Sequence, residues 1–95
     1  MTIFESKLYD IIKDLADNDT KTADVFDEFC DKVDEICQKE GLKAYIRVFW
    51  DNDSEILADT LDEVCDIMFR FDVVEYVNIP STDYDATFTV ITYTD

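Results

Sequence analysis

The 95-residue chain contains no histidine, and glycine and proline occur once each. Without histidine there is no imidazole to act as the base of a Ser-His or Cys-His pair, and no nitrogen ligand for zinc. With Gly41 as the single glycine, no glycine-rich loop can cradle a phosphate and no G-x-S-x-G turn can present a nucleophile. Cationic residues are scarce as well: 8 Lys and Arg stand against 24 Asp and Glu, a formal net charge of -16. Such a chain is repelled by nucleic acid and by anionic lipid, so neither direct nucleic-acid binding nor attachment to a membrane surface is expected. No stretch approaches the roughly 20 apolar residues of a membrane span, and the opening residues lack the basic-then-apolar order of a signal peptide. These absences predict a cytoplasmic protein with no catalytic site, cofactor or metal.

What is present is enough for a core. Apolar residues make up 47% of the chain and aromatics 14%, and the length suits a single domain over residues 1–95. The charge exceeds what solubility needs, since about 2 to 8 units serve a small domain, and the surplus costs stability through self-repulsion. A compact chain of this size is roughly 30 Å across. Duplex DNA carries on the order of 18 charges over that length, a linear density close to that of this chain. The match takes no account of where the charges sit, so it permits mimicry of DNA; composition itself leaves a basic protein as the expected partner, and a surface that normally holds nucleic acid is the expected site on it.

Periodicity divides the chain into elements. Thr2 and Glu5 have the spacing of a capping box, and Phe4, Leu8, Ile11, Ile12 and Leu15 repeat at helical intervals, which predicts a helix over 3–17. Asn18 to Thr22 reads as a loop with Thr22 as the next cap. Val25, Phe26, Phe29, Val33, Ile36 and Cys37 form a second stripe that stops at Gly41, where a left-handed C-terminal cap needs a glycine. From Leu42 to Trp50 the period falls to two, a strand with Tyr45, Arg47 and Phe49 on its more polar face. Those three are candidates for a homodimer contact, since interface cores favour aromatics and Arg. Asp51 to Ser54 reads as a turn; Glu55 to Ala58 suits either a strand or a helix start. A second capping-box pair, Thr60 and Glu63, favours a short strand and then a helix over 61–71 that buries Leu61, Val64, Cys65 and Met68. Val73 to Ile79 and Ala86 to Thr94 complete a terminal hairpin around Pro80 to Asp85. The expected fold is α+β, order ααββαββ, an antiparallel sheet with helices packed on one face.

Two metal patterns fail on inspection. Asp51 to Glu55 resembles the opening of a calcium loop, but Ile56 and Asp62 occupy the positions that need Gly and a bidentate Glu. Cys30 and Cys37 lie about 10 Å apart along a helix by rise per residue, too far to share a zinc ion. With Cys65 they read as buried, reduced thiols.

The acidic residues form rows. Asp24, Asp27, Asp31 and Asp34 recur every three or four positions with Glu28 and Glu35 alongside; Asp10, Asp14 and Asp17 repeat the pattern on the first helix, and Asp59, Asp62, Glu63 and Asp66 on the third. Like charges at this spacing destabilise a helix by a few tenths of a kcal/mol per pair, roughly. An ordinary solvated face would interleave lysines, and here only Lys7, Lys13, Lys32 and Lys39 do so. The rows are the candidate partner-binding carboxylates. One alternative is an acidic regulator of a transcription or CRISPR component that does not compete with nucleic acid; another is a soluble domain whose acids are scattered.

The opening Met1-Thr2-Ile3-Phe4-Glu5-Ser6-Lys7-Leu8-Tyr9-Asp10, the length and the acidic α+β layout resemble the anti-restriction nuclease (Arn) family of T-even bacteriophages. The resemblance implies a homodimeric DNA mimic that binds the McrBC restriction endonuclease of an infected bacterial host and so shields phage DNA.

Overall fold

The computed structural model describes residues 1–50 and 54–95, and side chains for 1–50 and 57–95. Three helices and three strands follow in the order α1 (Ile3–Asp17), α2 (Thr22–Lys39), β1 (Lys43–Trp50), α3 (Ser54–Arg70), β2 (Asp72–Ser81) and β3 (Ala86–Thr94). The strands form an antiparallel sheet in the order β1-β3-β2. The α+β class and the terminal hairpin stand as expected.

Local chemistry explains the boundaries. The Thr2 hydroxyl accepts the Glu5 N–H at 3.1 Å and starts α1. At its far end Asp19 takes a left-handed conformation, φ 56°, and the N–H groups of Asp19 and Thr20 donate to the carbonyls of Ala16 and Leu15. Helix α2 ends the same way: Gly41, φ 68°, donates to Gln38, and Leu42 donates to Cys37 at 2.9 Å. Both ends are Schellman closures, one on the favoured glycine and one on an aspartate that tolerates the same region. Thr22 is not the cap of α2; Lys21 holds that position without a side-chain hydrogen bond.

β3 lies between two neighbours and is buried on both faces, which suits its run of Phe, Val, Ile and Thr. On one face Ala44, Ile46 and Val48 of β1, Val77 and Ile79 of β2, and Phe88 and Val90 of β3 meet Leu8, Ile12 and Leu15 of α1 and Val25, Phe29, Val33 and Cys37 of α2. The Phe29 and Phe88 rings sit 4.8 Å apart at the centre of this core. Tyr45 of β1 and Ile91 and Tyr93 of β3, of opposite parity, meet Val64, Ile67 and Phe71, together with Val73, which the bulge between Val73 and Glu75 turns to the same side. Thus α1 and α2 cover one face and α3 covers the other.

Several expectations change here. Helices on one face describes α1 and α2 only, because β1 and β2 both pair with β3 and α3 must cross β3 to join them. No second strand occupies residues 55–58; the stretch lies inside α3, so the order is ααβαββ. Asp51 to Asp53 of the expected turn and calcium-loop opening lie outside the described residues. Thr60 is not a cap but a buried residue within α3. The helix buries Thr60, Val64 and Ile67, a stripe rotated from the expected one, and leaves Leu61, Cys65 and Met68 exposed. Phe26 of α2 is also exposed.

Candidate acidic functional site

The short Asn18–Lys21 connection makes α1 and α2 antiparallel neighbours, and burying their apolar stripes turns the polar stripes outward together. Asp10, Asp14 and Asp17 of α1 and Asp24, Asp27, Glu28, Asp31, Asp34 and Glu35 of α2 are all exposed. The structure therefore brings the first two rows into one layer. It does not bring the third to them: Asp59, Asp62, Glu63 and Asp66 lie on α3, across the sheet.

The two sides also differ in compensation. Arg47 Nη2 donates to the Glu63 carboxylate at 3.4 Å, its Nε donates to the Tyr45 hydroxyl at 3.0 Å, and Arg70 reaches Asp66 at 3.5 Å. Lys43 pairs with Asp95 at the chain end, at 2.7 Å. Among the described residues no carboxylate of α1 or α2 has an ion pair. The three pairs are largely exposed and add little stability; two of them offset Glu63 and Asp66 of α3, whereas Lys7, Lys13, Lys21, Lys32 and Lys39 stand beside α1 and α2 without an ion pair among the described residues.

The acidic layer acts on its neighbours. Cys30 is half-buried in the α2 row, and burial, followed by the charges of Asp34, Asp27 and Asp31, pushes its thiol up to about 11. Burial, Asp34 and Glu40 also raise the buried Cys37. Both thiols stay protonated near neutrality and are poor nucleophiles and metal ligands. All three cysteines are free; Cys65, expected to be buried, is exposed because of the rotated α3 stripe. Burial and then Asp83, Glu28 and Asp19 raise Tyr84, whose hydroxyl donates to the Thr20 carbonyl at 2.9 Å and ties the β2–β3 turn to the α1–α2 loop. That contact brings Asp19 and Asp83 to the end of the acidic layer. Their membership was missed in the rows because each sits in a connection, where helical spacing gives no signal.

The dimer candidates have partners within the chain: Tyr45 packs in the cluster beneath α3, Arg47 is held by Tyr45 and Glu63, and Phe49 is half-buried. The molecule measures 36 × 32 × 23 Å, and its long axis spans duplex carrying about 21 phosphate charges. Among the described residues no helix is long and apolar enough to cross a membrane. No family model, curated protein or solved structure matches the chain.

Proposed function

We propose that this chain is a DNA-mimic inhibitor whose α1–α2 layer occupies the basic DNA-binding surface of a host nuclease, in the manner of the phage proteins it resembles. The observation that carries this reading is the joined layer of exposed, unpaired carboxylates on two packed helices. A nuclease cleft lined with Lys and Arg gains affinity from phosphates largely through counterion release. Carboxylates on rigid helices satisfy the same cations and present no scissile bond, so occupancy alone inhibits. No catalytic turnover and no cofactor are part of the mechanism. The McrBC restriction endonuclease, in the cytoplasm of an infected bacterium, is the partner the resemblance suggests. The test is competition on the purified endonuclease: duplex DNA displaces the protein if the reading holds, whereas binding unchanged at saturating duplex favours the non-competing regulator.

The homodimer contact belongs, in this reading, to α3. Leu57, Leu61, Cys65 and Met68 recur at helical spacing along its outer side, with Leu61 49% and Met68 48% exposed. The Glu63–Arg47 pair turns the acidic flank of α3 toward β1, so this stripe lies toward β2, beside the exposed Val74 and Tyr76. A second copy is the occupant that fits, because an antiparallel α3 pair sets Leu57 near Met68 and Leu61 near Cys65 of its mate. It also joins two highly charged chains on the flank of α3 away from its own carboxylates, with both acidic layers facing outward.

A further inference from the structure

We propose that the groove between α1 and the end of β2 receives a guanidinium group, an arginine side chain of the basic partner; the proposal deepens the mimic reading and rests on it for the source of the arginine. The groove, about 440 Å³, lies within the range of ligand-sized clefts. Asp10 and Asp17 enter it from α1, and Asp83 from the β2–β3 turn. An acidic groove alone would be a solvated surface. Here Ser81 also lines it: strand alternation turns Ser81 to the α1 side with Val77 and Ile79, the residue is only 9% exposed, and its hydroxyl has no hydrogen-bond partner among the described residues.

A buried hydroxyl without a partner is unfavourable, and a ligand that donates an N–H to it removes the deficit. The neighbouring carboxylates specify that this donor is cationic. They are set apart, since among the described residues no three Asp, Glu or Cys side chains converge closely enough to hold a metal ion. A guanidinium spreads five donors across a plane and can engage separated acceptors together, whereas an ammonium concentrates its charge at one point. Tyr9, which also borders the groove, offers an aromatic face to the same cation. Lys13 lines the groove too and opposes an incoming cation; it forms no ion pair among the described residues.

The experiment is an NMR titration of the isotope-labelled protein with arginine amide and, separately, lysine amide. Arginine amide should give saturable shifts centred on Ser81 and Asp83, at lower concentration than lysine amide. Ser81→Ala and Asp83→Asn should each weaken binding about tenfold, the effect of losing a hydrogen bond to a charged group, and Lys13→Gln should tighten it. Ser81→Ala deletes a buried group without a partner, so its melting temperature should hold or rise; a purely structural Ser81 would lower it. Shifts spread along α1 and α2 without saturation, equal response to both amides, or unchanged binding by Ser81→Ala would each overturn the site. Failure of duplex competition on the endonuclease, with the titration intact, removes the mimic reading and leaves the guanidinium site in place.

Discussion

The two faces of the sheet are built on opposite terms. Under α1 and α2 lies the larger core, centred on Phe29 and Phe88, and above it an acidic layer without ion pairs. Under α3 the apolar cluster is smaller, with Val64, Ile67 and Ile91 buried beside Thr60, while Glu63 and Asp66 are paired with Arg47 and Arg70 and the helix exposes an apolar stripe. Charge repulsion is tolerable where packing is strongest, and the longer exposed apolar stripe lies on the helix whose acids include two in ion pairs. The comparison teaches that net charge alone does not define a binding surface; its compensation by neighbours does.

Truncation of the two cores should separate the faces most. Phe29→Ala should cost about 3–5 kcal/mol, close to the whole stability of a small domain. Ile67→Ala, in the sparser cluster, should fall toward the lower end of the roughly 2–5 kcal/mol range for such truncations. Urea denaturation checks both; equal losses would show that α3 is as firmly packed as α1 and α2.

The exposed stripe sharpens the comparison through salt. If α3 joins two copies, raising salt screens their repulsion and should strengthen the dimer, the reverse of its effect on a complex with a basic partner. Leu61→Ser with Met68→Ser should give the monomer mass by analytical ultracentrifugation at every salt concentration. A dimer that survives both changes would move the contact elsewhere.

Much of this arrangement was legible in the sequence, and the failures have a common cause. α1, α2, β1 and the hairpin each carry one clear period with a cap or turn at the end, so Thr2, Gly41 and the alternation of 42–50 located them. α3 carries an apolar arc wide enough to include both Thr60, Val64 and Ile67 and Leu57, Leu61 and Met68. Periodicity finds such a helix but cannot choose which half meets the sheet. Thr60 with Glu63 imitated a start because capping-box spacing also occurs inside helices. The acidic rows were legible one by one; that two share a side and the third does not follows from the β1-α3-β2 crossover, a tertiary fact.

A smaller effect reads the field of the acidic layer from within. At pH 8 roughly one Cys30 in a thousand is a thiolate, so in the monomeric Leu61→Ser, Met68→Ser variant, where no mate covers α3, iodoacetamide should modify the exposed Cys65 well before Cys30. Replacing Asp27, Asp31 and Asp34 by Asn should lower the Cys30 value and speed its alkylation, though burial, the largest cause, remains. The folded state prefers the protonated thiol, so its contribution to stability is complete below about pH 9 and declines as pH rises toward about 11. Alkylation unaffected by the three substitutions would mean that the row exerts no field at Cys30.

The most direct test of the account is the salt dependence of partner binding for two matched variants. Single exposed charges contribute about 0–1 kcal/mol, so Asp27→Asn alone should change little. Asp24→Asn, Asp27→Asn, Asp31→Asn and Asp34→Asn together should sharply lower affinity for the endonuclease and flatten its salt slope, with the fold retained or slightly stabilised. The corresponding α3 variant, with Asp59, Asp62 and Asp66 changed to Asn and Glu63 to Gln, likewise four charges, should keep near wild-type affinity and slope. Equal losses for the two variants, or an unchanged slope for the α2 variant, would contradict the assignment of the α1–α2 layer as the DNA-mimicking face.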